Sequence, residues 1–260
     1  MNESRPSRSS HPLVTFVIPS CQRAELLATC LDSIDATVGI PHEVICVTIR
    51  DDQPTQAMLA VRSTSRGNLR NVIDATRTGV VRAANKGMRA ATGEFIVQLN
   101  DDCRLMPYAI ENALHMLRAP AHRDVGQLAF FHDTRVMRNV QQEITVDDVR
   151  YVVCHVRGLC FANFGIASRD LYERLGYFDE RFHMYGADPD FSLKVWHEAG
   201  LRVLPCPGAL VRHLEWVDDR AATERAAQRT DNLRLFEKWG LSTTEVGSAT
   251  ALQESIRTGG

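Results

Sequence analysis

The sequence predicts an α/β fold, a mostly parallel central sheet flanked by helices, followed by a half of different texture. Three observations carry this. Short β-branched runs alternate with helix-period segments over the first 131 residues, the pattern of strand–crossover–strand units with right-handed connections. Pro and Gly punctuate the boundaries, as Pro19 and Gly93 do. Polar clusters follow the first, second and fourth apolar runs, where ligands bind in open α/β sheets.

Residues 13–18, apolar but for Thr15 and ended by Pro19, read as a buried strand. Residues 24–34 set Leu27, Leu31 and Ile34 on one helical face. A second strand over 44–49 breaks at Arg50-Asp51-Asp52-Gln53-Pro54, and a helix over 55–64 leads to a third strand over 69–73. Residues 80–91 read as a helix stopped by Gly93, and 94–99 as a fourth strand. A helix over 107–117 places Pro107 in its first turn, where the missing N–H costs nothing. A strand over 125–131 closes this nucleotide-binding type of half.

Beyond it, 136–156 reads as extended strands or a hairpin. Helices are expected over 170–175 and 189–198, with the loop Tyr185-Gly186-Ala187-Asp188 between them. Short strands over 201–204 and 209–211 surround Pro205 and Pro207, and a long polar helix over 219–239 ends at Gly240. Residues 1–12 and 241–260 read as a disordered and a flexible tail. Residues 13–240 then make one domain, with halves 13–131 and 132–240.

Composition bounds the chemistry. A chain of 260 residues buries a sizeable core without staples, and 44% hydrophobic with 24% charged is ordinary globular material. Lys+Arg 30 against Asp+Glu 32 gives a net charge of −2, which excludes a general nucleic-acid binder. The seven cysteines form no CxxC pair, so a reduced, cytoplasmic chain with mostly buried thiols is expected. No apolar run approaches the ~20 residues that span a bilayer, which leaves contact with a membrane surface open. Arg135, Arg138, Arg150 and Arg157 read as a solvated face.

Pro19-Ser20-Cys21-Gln22-Arg23, Asp51-Asp52 and Asn100-Asp101-Asp102 are the polar clusters that the topology brings to one rim. Adjacent carboxylates repel unless a cation or donors sit nearby, and Mg²⁺ commonly takes one or two carboxylates plus phosphate oxygens; a solvated turn is the simpler reading. Asp51 and Asp52 either read a base and ribose or form a turn. Arg23 offers a planar fork to phosphate. Asp188 and Asp190 flank Pro189 at a helix start, where a carboxylate caps the helix or serves as a general base. His213 is a metal-ligand candidate that needs support from elsewhere. There is no GxGxxG after the first strand and no GxxxxGK[ST], so dinucleotide and P-loop readings lose their main support.

Val14-Thr15-Phe16-Val17-Ile18-Pro19-Ser20-Cys21-Gln22-Arg23 resembles the opening of the GT-A glycosyltransferases of family 2. Ala84-Asn85-Lys86-Gly87 and Gly93-Glu94-Phe95-Ile96-Val97-Gln98-Leu99-Asn100-Asp101-Asp102 resemble the approach to their DxD motif. Gly176-Tyr177-Phe178-Asp179-Glu180 and Gly186-Ala187-Asp188-Pro189-Asp190 resemble the loop and helix that carry the base. The resemblance implies a GT-A fold, a Rossmann-like sheet with an acceptor-binding C-terminal half. It implies a nucleotide-sugar donor at Pro19, Ser20, Arg23, Asp51, Asp52, Asn85, Asn100 and Asp101, with Arg82 standing in for an Arg that often precedes Asn85. A divalent metal, Mn²⁺ or Mg²⁺, would be held by Asp102 and His213, and Asp188 falls on the catalytic base.

Two departures stand out. Asn100 replaces the first Asp, as in N-x-D variants of some rhamnosyltransferase-like members, so a TDP-sugar stands beside a UDP-sugar as donor. Ala187 replaces the Glu that many members carry before the base. The implied activity is inverting transfer to a glycan, lipid-linked or small-molecule hydroxyl. An inactive nucleotide- or glycan-binding relative and a sugar nucleotidyltransferase are the other readings, and a homodimer stays open.

Overall fold

The computed structural model of the protein describes residues 12–77, 79–133, 139–214 and 221–241. Of the expected tails over 1–12 and 241–260, only residues 12 and 241 are described, Leu241 being buried; Arg135, Arg138 and the first two residues expected of the last helix also lie outside the described residues. An eleven-stranded mixed sheet organises the chain. Strands β1 (Val14–Ser20), β2 (His42–Ile49), β3 (Leu69–Asp74) and β4 (Phe95–Gln98) pair in parallel, in the order β3-β2-β1-β4. The helices between them are α1 (Ala24–Thr37), α2 (Gln53–Ser65) and α3 (Val80–Arg89). These match the expected elements closely, because β1, β2 and β4 are largely apolar on both faces and β3 is the edge of the parallel run.

Successive residues of β1 show this. Phe16 and Ile18 enter one core with Leu27 and Ile34 of α1, while Val17 enters the other with Val81 and Met88 of α3. Fully burying each such side chain is worth about 1.5–3 kcal/mol. The second half completes the same two layers. Helix α4 (Ala109–Arg118) joins α1 on one face; α5 (Arg169–Arg174), α6 (Ala187–His197) and α7 (Ala221–Trp239) join α3 on the other.

The departures are nonlocal. Residues 103–105, 159–161 and 165–168 form the strands β5 (Cys103–Leu105), β9 (Leu159–Phe161) and β10 (Gly165–Ser168), which local periodicity does not reveal. Strand β10 runs antiparallel between β4 and β6 (Val125–Asp133), in the middle of the sheet. The two expected short strands near Pro205 and Pro207 are one strand, β11 (Arg202–His213), with register shifts between Arg202 and Val203 and between Cys206 and Leu210, the second spanning Pro207. A bulge accommodates the missing proline N–H groups. Pro107 lies ahead of its helix, not within it, because Tyr108 takes a left-handed φ of 64° at the N-cap. Ala187 and Asp188 belong to α6 instead of the loop before it.

The stretch read as extended is a hairpin, β7 (Val140–Val146) and β8 (Val149–Val156). Its two-residue turn, Asp147-Asp148, has φ of 48° and 60°, the backbone of a type I′ turn. Arg150 pairs with Glu143 across it at 2.7 Å. All seven cysteines are free, and six are buried. Among the described residues, no helix is long and apolar enough to cross a membrane.

A short segment such as β10 enters a sheet centre only if its backbone can come close to its neighbour. A Cβ at Gly165 would overlap the carbonyl oxygen of Leu128 and meet Ala162 Cβ at 2.9 Å. Gly165→Ala is expected to cost about 3 kcal/mol, a thermal midpoint lower by roughly 6–12 °C. Thermal unfolding followed by circular dichroism checks it; an unchanged midpoint would contradict the position of β10.

Candidate active site

Strands β1, β2, β4, β6 and β11 run in one direction, so their carboxyl ends meet along one rim. Ser20, Asp52, the Asn100–Asp102 turn, Asp133 and His213 therefore gather there. The turn after β4 is closed by Cys103 N–H donating to the Asn100 carbonyl at 3.3 Å. It leads into β5, which pairs antiparallel with the end of β11, setting His213 opposite Cys103. That register brings His213 Nε2 to 3.2 Å from Asp102 Oδ1, and Leu214 N–H donates to the Asp102 carbonyl at 2.9 Å. The Phe164 ring packs edge-on against the imidazole, centroids 5.3 Å apart.

The two buried carboxylates are kept by donors of the first strand's loop. Ser20 Oγ donates to Asp101 Oδ2 at 2.8 Å, and Arg23 Nη1 lies 3.3 Å from Asp101 and 3.5 Å from Asp102. For Asp101, burial outweighs these donors and pushes the carboxyl above its ordinary range. For Asp102, burial acts the same way, but His213 and then Arg23 overcome it and hold the carboxyl low. Of the two carboxyls, Asp102 is therefore the one whose charged form its surroundings favour, which suits a metal ligand.

Asp102 Oδ1 is buried yet receives no well-aligned hydrogen bond. A carboxylate oxygen so placed, beside an imidazole, is a donor set that fits a hard divalent cation. Cys103 completes a group whose ligand atoms lie within 4.8 Å of one another. Its thiol is wholly buried and burial pushes its pKa well up, so it offers no thiolate.

Asp188 is the second residue of α6 and is partly buried. Gln98, the last residue of β4, donates from Nε2 to its Oδ1 at 2.9 Å. Burial pushes the carboxyl up to about 7, against the pull of that hydrogen bond. The helix enters through Gly186, whose φ of 80° suits glycine.

Other expected residues have local duties. Asp52 is 2% exposed and caps α2. Its oxygens accept from Thr55 N at 3.3 Å and Gln22 N at 2.6 Å. Asp51 beside it is exposed, and Pro19 and Asn100 are partly exposed on the rim. Asn85 is fully buried; it donates to the Phe178 carbonyl and Glu180 Oε1 and accepts from Phe178 N–H. Arg82 is exposed, with Nε 3.9 Å from the same Glu180. The contacts of Asn85 and Arg82 therefore run to Glu180 and its loop, not to the carboxylate turn.

The family model described as "Glycosyl transferase family 2" matches residues 15–185. The chain belongs to that family. It is a glycosyltransferase with a GT-A fold. It is similar to the "uncharacterized glycosyltransferase YwdF" of Bacillus subtilis (strain 168), 25% identical over 88% of this chain and 84% of that one. The O-antigen biosynthesis protein RfbC of Myxococcus xanthus is also 25% identical over 88% of this chain, which spans 18% of that protein. Among solved structures, mannosyltransferase PcManGT from Pyrobaculum calidifontis, in complex with GDP-Man and Mn²⁺, superposes with a TM-score of 0.65 at 20% identity, over 95% of this chain and 69% of that one. S. aureus TarS 1–349 in complex with UDP-GlcNAc gives 0.59 at 14% identity, over 94% and 70%.

The rim of the glycosyltransferase also holds residues that sequence reasoning missed. Gln98 had one signal, an amide at the end of an otherwise apolar strand. Asp133 accepts from Arg212 Nε at 2.6 Å and from the His213 N–H, fixing the end of β11. Only the pairing of β6 with β11 brings it there.

Proposed function

We propose that this glycosyltransferase moves a sugar from a nucleotide-sugar donor to an acceptor hydroxyl by a single, inverting displacement that depends on a divalent metal. The donor is a UDP-sugar first and a TDP-sugar second. The observation that carries the reading is the link between Gln98 and Asp188. A carboxylate tuned to about 7 hangs from the strand that runs into Asp101 and Asp102, and a general base works best with a pKa near the operating pH.

Asp188 takes the acceptor proton as the hydroxyl oxygen attacks the anomeric carbon, and the sugar–phosphate bond breaks with its electrons going to the diphosphate. Asp102 and His213 would hold Mn²⁺ or Mg²⁺, which supplies Lewis-acid neutralisation of the leaving diphosphate when bound. Arg23, Ser20 and Asp101 shape the turn beside them, with Pro19, Asn100 and exposed Asp51 as nucleotide contacts. Asp52 and Asn85 act here by building the rim, and Arg82 through Glu180. A double displacement would need a nucleophile against the other face of the sugar, whereas Asp101 and Asp102 are engaged by Ser20, Arg23 and His213. We read 13–240 as one catalytic domain, donor half first, working in a reducing cytoplasm that suits its free thiols.

Ala187, buried where many members carry Glu, favours a second reading, a nucleotide-binding relative without turnover. Calorimetric titration of UDP, TDP, GDP and ADP, each with and without Mn²⁺, tests the donor site. UDP or TDP is expected to bind at least about tenfold more tightly with Mn²⁺, roughly 1.4 kcal/mol. Binding of none would overturn the reading; metal-dependent binding without transfer or donor hydrolysis would favour the second.

A further inference from the structure

Helix α7 is polar for most of its length, yet Asp231 on it is completely buried. Its carboxylate accepts three consecutive main-chain N–H groups: His183 (3.0 and 3.1 Å), Met184 (2.8 Å) and Tyr185 (3.0 Å). Arg234 Nη1 adds a contact at 3.0 Å. A carboxylate bound to successive backbone amides constrains the path of the chain, not merely its distance from the helix. That path continues through Gly186, where a Cβ would meet the Phe182 ring at 3.0 Å and the Asp231 carbonyl at 3.6 Å. Two residues later stands Asp188.

The same helix grips the far side. Asp190 is also fully buried, and Lys238 Nζ and Trp239 Nε1 each reach its Oδ1 at 2.8 Å. Lys238 further pairs with Asp179 at 3.0 Å. Docking of α7 is already served by Leu235 and Phe236, both buried in the core. Its buried polar contacts converge instead on the segment that brackets residue 188, and none of those named is to Asp188 itself.

We infer that Asp231 is a positioning residue for the base: by fixing the backbone of 183–185 it sets the entry into α6 and aims Asp188 at Gln98 and the acceptor. This rests on reading Asp188 as the base. Asp231→Asn keeps the shape but turns an amide N–H₂ toward backbone donors. Displacement of a reacting group by about 1 Å costs up to roughly 100-fold.

The test combines Asp231→Asn, Asp188→Asn and the double variant, with hydrolysis and transfer assayed on UDP-GlcNAc, UDP-glucose, TDP-rhamnose and GDP-mannose. For Asp231→Asn, kcat is expected to fall roughly 10–100-fold, with donor KM and Mn²⁺–nucleotide affinity within about twofold. On the Asp188→Asn background it should cost nothing more, because residues acting through one another are not additive. Multiplying losses, joint loss of kcat and nucleotide binding, or a kcat change under twofold would each overturn the inference. Full turnover by Asp188→Asn alone would instead overturn the base assignment. If none of the donors is turned over, hydrogen exchange decides. Faster exchange confined to 183–190 in Asp231→Asn supports the inference; no change there, or acceleration across the sheet, overturns it.

Discussion

Asp188→Asn is expected to bind nucleotide within about twofold of the parent enzyme and to lower transfer by roughly 10²–10⁴-fold, the usual worth of a general base. The amide keeps the shape and still meets Gln98, but it has no basic oxygen to receive a proton. The parent's pH profile carries the same signature. With the carboxyl near 7, kcat/KM should fall as pH drops through about 7 and level off above about 8, and this limb should vanish in the variant. Stability runs the other way. The folded pKa lies above the ordinary Asp value of about 3.9, so the folded state binds the proton more tightly and loses stability as pH rises from about 4 through 7. Asp188→Asn escapes that loss and should melt higher than the parent at pH 8, with little difference at pH 4. A pH-rate profile and paired melting curves check both; equal activity in the variant would refute the assignment.

Asp102→Ala is expected to erase the metal dependence of nucleotide binding, with Mn²⁺-supported affinity lower by at least about 100-fold. Losing even an outer-shell partner of a metal ligand commonly costs 10–100-fold, and here the ionised oxygen itself goes. What is left is Arg23, still 3.3 Å from Asp101, and the His213 imidazole without its carboxylate neighbour. The Arg23 guanidinium should retain weak, salt-sensitive affinity for the diphosphate that is the same with and without Mn²⁺. Calorimetry at two ionic strengths reads this directly. Metal-enhanced binding in the variant would move the cation site away from Asp102.

These two residues could be found in the same way. Both stand in recognisable motifs, and family membership follows from the ordered series running from β1 to the loop before α6. Motif membership, however, does not assign work. Asp52 and Asn85 sit in the same motifs, where the first caps a helix and accepts a backbone N–H and the second anchors the loop at Phe178. Gln98 and Asp231 stand in no motif that the sequence suggests, yet one donates to Asp188 and the other accepts from the backbone of 183–185.

What the chain alone determined was local: β1 to β4 and their helices, the apolar faces that bury them, and the polar ends that follow. Periods of two and of 3.6 residues are set by neighbours in sequence, so they can be read there. What only the tertiary structure decided was pairing and burial. β10 entered the sheet centre, His213 came opposite Cys103, and Asp188 met a partner 90 residues away. The reason is physical: a carboxyl's basicity depends on the water removed around it and the donors aimed at it, and residues far apart in the chain supply both.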